Sequence, residues 1–349
     1  MLADNAGSNR RGVQMPDRSV GQVALISEAT VLDAPGFTGL ADLGIEVVRV
    51  PRAADEAAQI ESLTGYFGIV AGAEPYSREV LEALPGLRII ARSGVGFDAI
   101  DIDAANDLGI YVTVTAGVNA IGVAEHALSM LLALLHRSRA YHDRVSLGRW
   151  RDGEFFDELH GSTVGIIGYG RIGRSFARII APLDVAILVY DPAILPDLTE
   201  VGVTLFDDIG DMLPKCDVVS LHVPLNESTR HLLGARQFGL LPKGAIVVNT
   251  SRGPVLDESA LVDALMSGHL GGAALDVMDI EPAVVNSPLI GIDNCILSPH
   301  ISSFGKRTIS MMSHLIVEQL DAASRGEPPE GLVSLPALTG RVDPRAAPR

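Results

Sequence analysis

An apolar run, Val164 to Ile167, enters Gly168-Tyr-Gly170-Arg171-Ile172-Gly173. A helical pattern follows from Ser175 to Ile180, and a second apolar run from Val185 ends on Asp191. Strand, glycine turn, helix, strand and carboxylate in that order constrain this chain more than any other stretch does. Gly168 permits a tight turn, and Gly170 lets the backbone come close to a pyrophosphate. Gly173 lets the new helix pack on its strand while its first amides, those of Arg171 and Ile172, face the phosphates. In a chain with 36 glycines a bare triplet is weak evidence. Here the strand before, the helix after and an acid about 20 residues on are all present, and the unit reads as a dinucleotide site. Asp191 falls where a carboxylate accepts from the adenosine ribose hydroxyls. Its charge would repel a 2′-phosphate, which favours NAD over NADP.

The rest of the chain has to accommodate that unit. With 349 residues, 47% apolar and 20% charged, it can bury a large core and is expected to form two domains. A net charge of -16 argues against nucleic acid as a partner, because phosphate neutralisation needs clustered Lys and Arg. It does not exclude an anionic substrate held at a local positive site. Cys216 and Cys295 are flanked by apolar sequence and read as buried free thiols in a reducing compartment. The N-terminus lacks an apolar signal segment and no run approaches bilayer length, so a cytoplasmic protein without a membrane partner is expected. The nine His and two Cys show no metal-ligand spacing, and no metal is expected.

In chain order, residues 1–20 are polar and aperiodic and read as a disordered tail. From Gln22, short apolar runs (Val23 to Ile26, Ile45 to Val50, Phe67 to Ala71, Leu87 to Ala91, Ile110 to Val112) appear, with helical patterns between the later ones, which predicts an α/β domain with a parallel sheet over 21–115. Its run at Leu87 leads into Arg92-Ser-Gly-Val95-Gly96-Phe-Asp98, a glycine turn whose successive amides suit an anion; a plain strand-to-helix turn is the alternative. A long helix is expected from Asn119 to about Tyr141. It is apolar around most of its circumference, and a partner subunit is one way to bury such a helix. His142 to Leu159 reads as polar and irregular. Beyond Asp191 the alternation resumes, giving a second doubly wound sheet over 116–304. Ligands in such sheets sit at the carboxyl ends of strands. The residues found there are His222 and Pro224, Asn249 to Arg252 (with Thr250 and Ser251), Asp276 and His300. The helix Thr308 to Ala323 returns to the first domain, which therefore includes 305–335, and 336–349 reads as a second disordered tail.

Several of these stretches resemble one family. Ser93-Gly-Val-Gly-Phe-Asp98, Val123-Ala-Glu-His126, the Gly168 turn, Leu221-His-Val-Pro-Leu225, Leu241 to Gly253, Gly272 to Val277, Glu281-Pro282 and Ser298-Pro-His-Ile301 together are similar to the D-isomer-specific 2-hydroxyacid dehydrogenases. The likeness covers about residues 22 to 330 and points to the phosphoglycerate-dehydrogenase-like short forms without a regulatory domain. It implies a flavodoxin-like substrate domain and a Rossmann-like NAD domain with a cleft between them, in a homodimer. The implied catalytic set is Arg252, Glu281 and His300. Gly168, Gly170, Arg171, Ile172, Gly173, Asp191, His222, Pro224, Thr250, Ser251 and Asp276 would hold NAD, with Asp276 at the nicotinamide end. Val95 and Gly96 would bind the substrate carboxylate beside Arg252 and His300.

The chemistry independently asks for these residue types. Reducing a 2-keto acid places hydride on the carbonyl carbon and a proton on its oxygen while a carboxylate is held. A guanidinium forks onto those oxygens and stays charged. An imidazole exchanges the proton near neutrality, and a carboxylate beside it orients the ring. Two departures bear on the substrate. Val70 to Pro75 has no cation where related phosphoglycerate dehydrogenases carry an Arg, and Glu74 would repel a phosphate. Phe304 stands where family members usually carry small residues before a Thr, and it would narrow the pocket or cover the nicotinamide. Two alternatives are formate dehydrogenase, which carries Gln where Glu281 stands, and a non-enzymatic NAD-sensing corepressor of the same fold.

Overall fold

The structure is a computed structural model describing residues 21–26, 37–151, 153, 155–193, 202–282 and 287–334; the expected tails 1–20 and 336–349 lie outside these. Twelve strands are present among the described residues: β1 (Gly21–Ile26), β2 (Ile45–Val50), β3 (Gly68–Ala71), β4 (Ile89–Arg92), β5 (Tyr111–Val114), β6 (Thr163–Ile167), β7 (Ala186–Tyr190), β8 (Val203–Phe206), β9 (Val218–Leu221), β10 (Ile246–Asn249), β11 (Gly272–Leu275) and β12 (Cys295–Leu297). They form a five-stranded sheet, β2-β1-β3-β4-β5, and a seven-stranded sheet, β12-β11-β10-β9-β6-β7-β8. Every strand pair in both sheets is parallel. This is the α/β architecture of two doubly wound sheets expected above.

Helices cross between the strands: α1 (Thr38–Asp42), α2 (Glu56–Leu63), α3 (Arg78–Glu82), α4 (Ile102–Leu108), α5 (Ala120–Leu135), α6 (Ser138–Ser146), α7 (Arg171–Ile180), α8 (Ile209–Met212), α9 (Ala235–Leu240), α10 (Glu258–Met266) and α11 (Lys306–Ser324). Asp55, Ser77, Asp101 and Asp257 cap α2, α3, α4 and α10 by accepting from backbone amides one turn in, which satisfies donors that a helix start leaves open.

Both faces of each sheet are covered, so the strands read as continuous apolar runs. In the larger sheet, Val164, Ile166 and Val189 pack with α5 and α7 residues such as Ala127, Leu131 and Phe176. Ile167, Val219 and Val247 pack on the opposite face with Phe238 and Leu261. In the smaller sheet, Val23, Val70 and Ile89 pack against Ile316 and Leu320 of α11, which are fully buried. Each such aliphatic side chain contributes roughly 1.5–3 kcal/mol relative to exposure. The last helix therefore does return to the first sheet.

Two local expectations change. The helix expected to run to Tyr141 ends at Leu135, because Arg137 adopts a left-handed φ of 50°, and α6 starts afresh at Ser138 and runs on to Ser146, into the stretch from His142 expected to be irregular. Strand β8, half-buried at the sheet edge, has no counterpart in the sequence reading. The all-round apolar α5 is wrapped mainly by its own chain, against α7, β10, β11 and β12. Among its large apolar side chains only Ile121 is exposed. Cys216 and Cys295 are free and buried, and burial pushes both thiols up to about 12.

The strand orders locate two crevices. In the larger sheet the chain proceeds from β6 outward to β7 and β8, then resumes on the other side with β9. The switch lies between β6 and β9. In the smaller sheet it lies between β1 and β3. Ligands of doubly wound sheets bind at the carboxyl edge of such switches.

Candidate active site

The glycine turn sits at the β6/β9 switch. Gly168 has φ 90°, and a Cβ there would lie 2.7 Å from the His222 carbonyl oxygen, so only glycine allows the two strand ends to meet. A Cβ on Gly173 would run into the Gly168 carbonyl oxygen, whereas one on Gly170 would meet nothing within 4 Å. Two glycines thus serve internal packing, and the third borders open space in front of α7, whose first residues are Arg171 and Ile172. Asp191 accepts from Tyr169 N at 2.7 Å and from Ala193 N at 2.9 Å, which places its carboxylate beside the turn. Thr250 Oγ1 and His222 Nδ1 are sealed from solvent without a hydrogen-bond partner in the protein. His222 Nε2 is 3.0 Å from Ser220 Oγ, and burial holds the imidazole pKa down to about 3. It is a neutral ring at working pH. Ser251 is consumed locally, its N and Oγ both donating to Asn249 Oδ1. Pro224 is exposed, and its carbonyl accepts from Thr229 Oγ1. Open space at Gly170, a helix N-terminus, a ribose-reach acid and two unpaired polar atoms at strand ends fit a dinucleotide.

Arg252 follows β10. Asn249 Nδ2 donates to its carbonyl at 2.8 Å, and Arg252 Nη1 donates to the Ser251 carbonyl at 2.7 Å. Its Nε lies 3.1 Å from Asp98 Oδ1. Asp98 closes the glycine turn of the smaller sheet, so this pair spans the two sheets. A Cβ on Gly96 would overlap Arg252 Nη2. The Val95–Gly96 backbone and the guanidinium therefore share one place.

Glu281 and His300 come from the loops after β11 and β12. Glu281 Oε2 is 2.6 Å from His300 Nδ1, while its Oε1 accepts from Met278 N at 3.0 Å. Gly253, next to Arg252, packs so closely on Met278 that a Cβ would collide with the Met278 carbonyl. All three loops are thereby tied together. Both members of the His300–Glu281 pair are about one-third exposed, at 33% and 30%, so the pair remains accessible to a ligand. His300 has φ 53°, a left-handed conformation unusual for a residue with a side chain. Such strain marks positions that the surroundings over-determine.

Asp276 is what determines it. Its carboxylate is fully buried and accepts from Ser298 Oγ, from Ile301 N at 3.0 Å and from Ser302 N at 2.9 Å, while its backbone carbonyl accepts from His300 N at 2.8 Å. His126 of α5 joins through Nε2, 2.9 Å from Ser298 Oγ and 3.5 Å from Asp276 Oδ1. The resemblance places Asp276 at the nicotinamide end, and its carboxylate oxygens accept from the chain's own donors there. Asp98, Asn249, Ser298 and His126 carry no assigned role in that reading. All four are polar residues at or beside the motifs, which is the one signal that pointed to them.

No group of three or more His, Cys, Asp or Glu able to hold a metal occurs among the described residues, and no described helix is long and apolar enough to cross a membrane.

Residues 128–302 match the family described as D-isomer specific 2-hydroxyacid dehydrogenase, NAD binding domain. The chain is 40% identical over 269 residues to a glyoxylate reductase of Thermofilum pendens, covering 75% of this chain and 79% of that one. It is 37% identical over 262 residues to a D-3-phosphoglycerate dehydrogenase of Archaeoglobus fulgidus, covering 74% of this chain and 50% of that one. Its structure superimposes on D-lactate dehydrogenase from Aquifex aeolicus, solved with NAD and lactic acid, with a TM-score of 0.78 and 28% identity over 87% of this chain and 96% of that one. With its glycine turn, its two parallel sheets and these relatives, the chain belongs to the D-isomer specific 2-hydroxyacid dehydrogenase family.

Proposed function

We propose that the protein interconverts a D-2-hydroxy acid and its 2-keto acid with NAD as the redox partner. The observation that carries this reading is the meeting of four loops from separate strands: Arg252 lies against the glycine-rich anion turn, and its loop packs on the one that holds the His300 imidazole through Glu281. Arg252, with the Val95 and Gly96 amides, holds the substrate carboxylate and polarises the carbonyl. His300 Nδ1 donates to Glu281, so Nε2 carries the exchangeable proton and delivers it to the carbonyl oxygen in reduction, accepting it back in oxidation. Glu281, itself fixed by Met278 N, keeps the ring in that tautomer. Bound NADH supplies the hydride that reaches the carbonyl carbon. Gly170, the α7 N-terminus, Asp191 and Thr250 line the cofactor's place, and the charge on Asp191 favours NAD over NADP. The test is turnover of a panel of 2-keto acids with NADH and with NADPH. Binding of NADH without reduction of any keto acid would instead support the NAD-sensing binding protein.

A further inference from the structure

The loop after β12 carries His300, and one stripe of α5 runs along that loop. Gly122, His126 and Met130 are spaced by four and so share a face of the helix. A Cβ on Gly122 would lie 2.9 Å from Thr308 Oγ1 and 3.7 Å from the Ser302 carbonyl oxygen. One turn on, His126 Nε2 lies 2.9 Å from Ser298 Oγ, and Met130 Sδ is 3.4 Å from the same hydroxyl. The direction of these bonds follows from a count of protons. Ser298 Oγ has one hydrogen, and between the Asp276 carboxylate and a thioether sulfur the carboxylate is much the stronger acceptor. With that hydrogen committed to Asp276, Oγ accepts from His126, so Nε2 carries a hydrogen.

Asp276 passes this hold on to three successive amides. Its carbonyl accepts from His300 N at 2.8 Å, its Oδ1 from Ile301 N at 3.0 Å and its Oδ2 from Ser302 N at 2.9 Å. The left-handed φ of 53° at His300 lies at the start of that run, and such a conformation persists only where neighbours hold it. Resting on the dehydrogenase reading, we infer that His126 is a positioning residue for the proton donor: by donating to Ser298 it keeps that hydroxyl on Asp276, and Asp276 fixes the backbone that aims the His300 ring. The ring then has two supports. Glu281 holds Nδ1 from one loop, and α5 holds the backbone through Ser298 and Asp276 from the other side. Without the His126 hydrogen, Ser298 Oγ loses the donor that fixes its rotamer. Its proton can then turn away, and a fully buried carboxylate left short of a donor shifts to find another. The amides it binds shift with it.

The experiment measures reduction by pre-bound NADH, with the fastest substrate among glyoxylate, 2-oxobutanoate, phenylpyruvate and oxaloacetate, alongside NADH affinity. It compares wild type with His126→Gln, His126→Leu, Ser298→Ala and the His126→Leu, Ser298→Ala double variant. Glutamine sets an amide donor near the place of Nε2, whereas leucine keeps bulk and donates nothing. His126→Leu and Ser298→Ala should each slow the maximal rate by about ten-fold or more, within the roughly 10²-fold that a misplaced catalytic group costs. KM and NADH affinity should stay near those of the wild type, the split expected of an interaction felt only in the transition state. His126→Gln should recover most of the rate. Because the two residues act as one unit, the double variant should be no slower than the slower single one. An unimpaired His126→Leu rate, a His126→Gln enzyme as slow as the leucine variant, or losses that multiply in the double variant overturns the inference and leaves the dehydrogenase reading standing. So does a loss confined to NADH affinity. If His126→Leu does not fold, Ser298→Ala decides by the same split, and an unimpaired rate there overturns the inference. A wild type that binds NADH and reduces none of the four acids removes both.

Discussion

Arg252 Nε lies 3.1 Å from Asp98 Oδ1, a contact between residues 154 positions apart that joins the loop after β10 to the glycine turn of the other sheet. With Nη1 on the Ser251 carbonyl, Nη2 is the nitrogen set against Gly96. The pair aims the guanidinium at the turn where a substrate carboxylate would lie.

A methyl group at residue 96 should therefore displace the guanidinium. Gly96→Ala is expected to lower kcat/KM for keto-acid reduction by about 10²-fold, the scale of a misplaced substrate clamp. NADH binding at the distant Gly168 turn should be retained. Steady-state kinetics alongside a cofactor titration checks this, and unimpaired kcat/KM would mean that Arg252 does not act from this position.

His300→Asn should remove the proton donor and lower kcat by about 10²-fold or more. Glu281→Gln keeps the size of the side chain and one acceptor for Met278 N but removes its charge beside the ring, and a smaller loss in kcat is expected. Single-turnover rates with pre-bound NADH would measure both. Near-normal chemistry in His300→Asn would discard the proposed acid.

Gly170 and Gly173 make opposite predictions. Gly170 caps α7 at φ −71°, a conformation open to alanine, with empty space where its Cβ would point. Gly170→Ala should change stability by less than about 1 kcal/mol, yet weaken NADH by about ten-fold or more, which corresponds to 1.4 kcal/mol of lost binding. Gly173→Ala forces a Cβ into the Gly168 carbonyl and should destabilise the fold by about 1–3 kcal/mol. Denaturant unfolding and NADH titration on both variants decide, and a Gly170→Ala protein that binds NADH normally would move the cofactor away from this turn.

Burial lowers the His222 pKa to about 3, below its unfolded value of about 6.5. Between those values the unfolded chain binds more protons than the folded one. Stability from this group is complete above about pH 6.5 and falls on acidification by on the order of 1.4 kcal/mol per pH unit until about pH 3. His222→Gln should flatten the stability profile across that window relative to wild type. Parallel profiles would show that the ring is not desolvated.

The structure exposes a second apolar surface besides the helix that the sequence singled out for assembly. Val145, Leu147, Trp150, Phe155 and Phe156 are exposed on and after α6, with Phe155 at 91%. A second copy of the chain would cover them, and a two-fold dimer is the expected state. Sedimentation velocity should give a dimer at micromolar concentration, with Trp150→Ser together with Phe155→Ser shifting it towards monomer. A wild-type monomer would refute the dimer.

The sequence alone determined the class of fold and the dinucleotide turn, because both depend on local rules. Runs such as Val218 to Leu221 are apolar on both faces only in a covered parallel sheet, and the glycine spacing at Gly168, Gly170 and Gly173 follows from one strand meeting one helix. It also marked Arg252, Glu281 and His300, through strand-end position and family resemblance. What it could not carry was distance. Arg137 gives no local cue for a left-handed φ, so the break between α5 and α6 went unread. The half-buried strand Val203–Phe206 gains its identity from pairing with β7. Whether apolar α5 needed a partner depended on α7 and three strands lying far away in sequence. Nothing local to Asp276 showed that folding would place Ser298, Ile301 and Ser302 around its carboxylate. Tertiary structure decides these roles because a buried charge takes its function from the groups that surround it, and those groups come from remote parts of the chain.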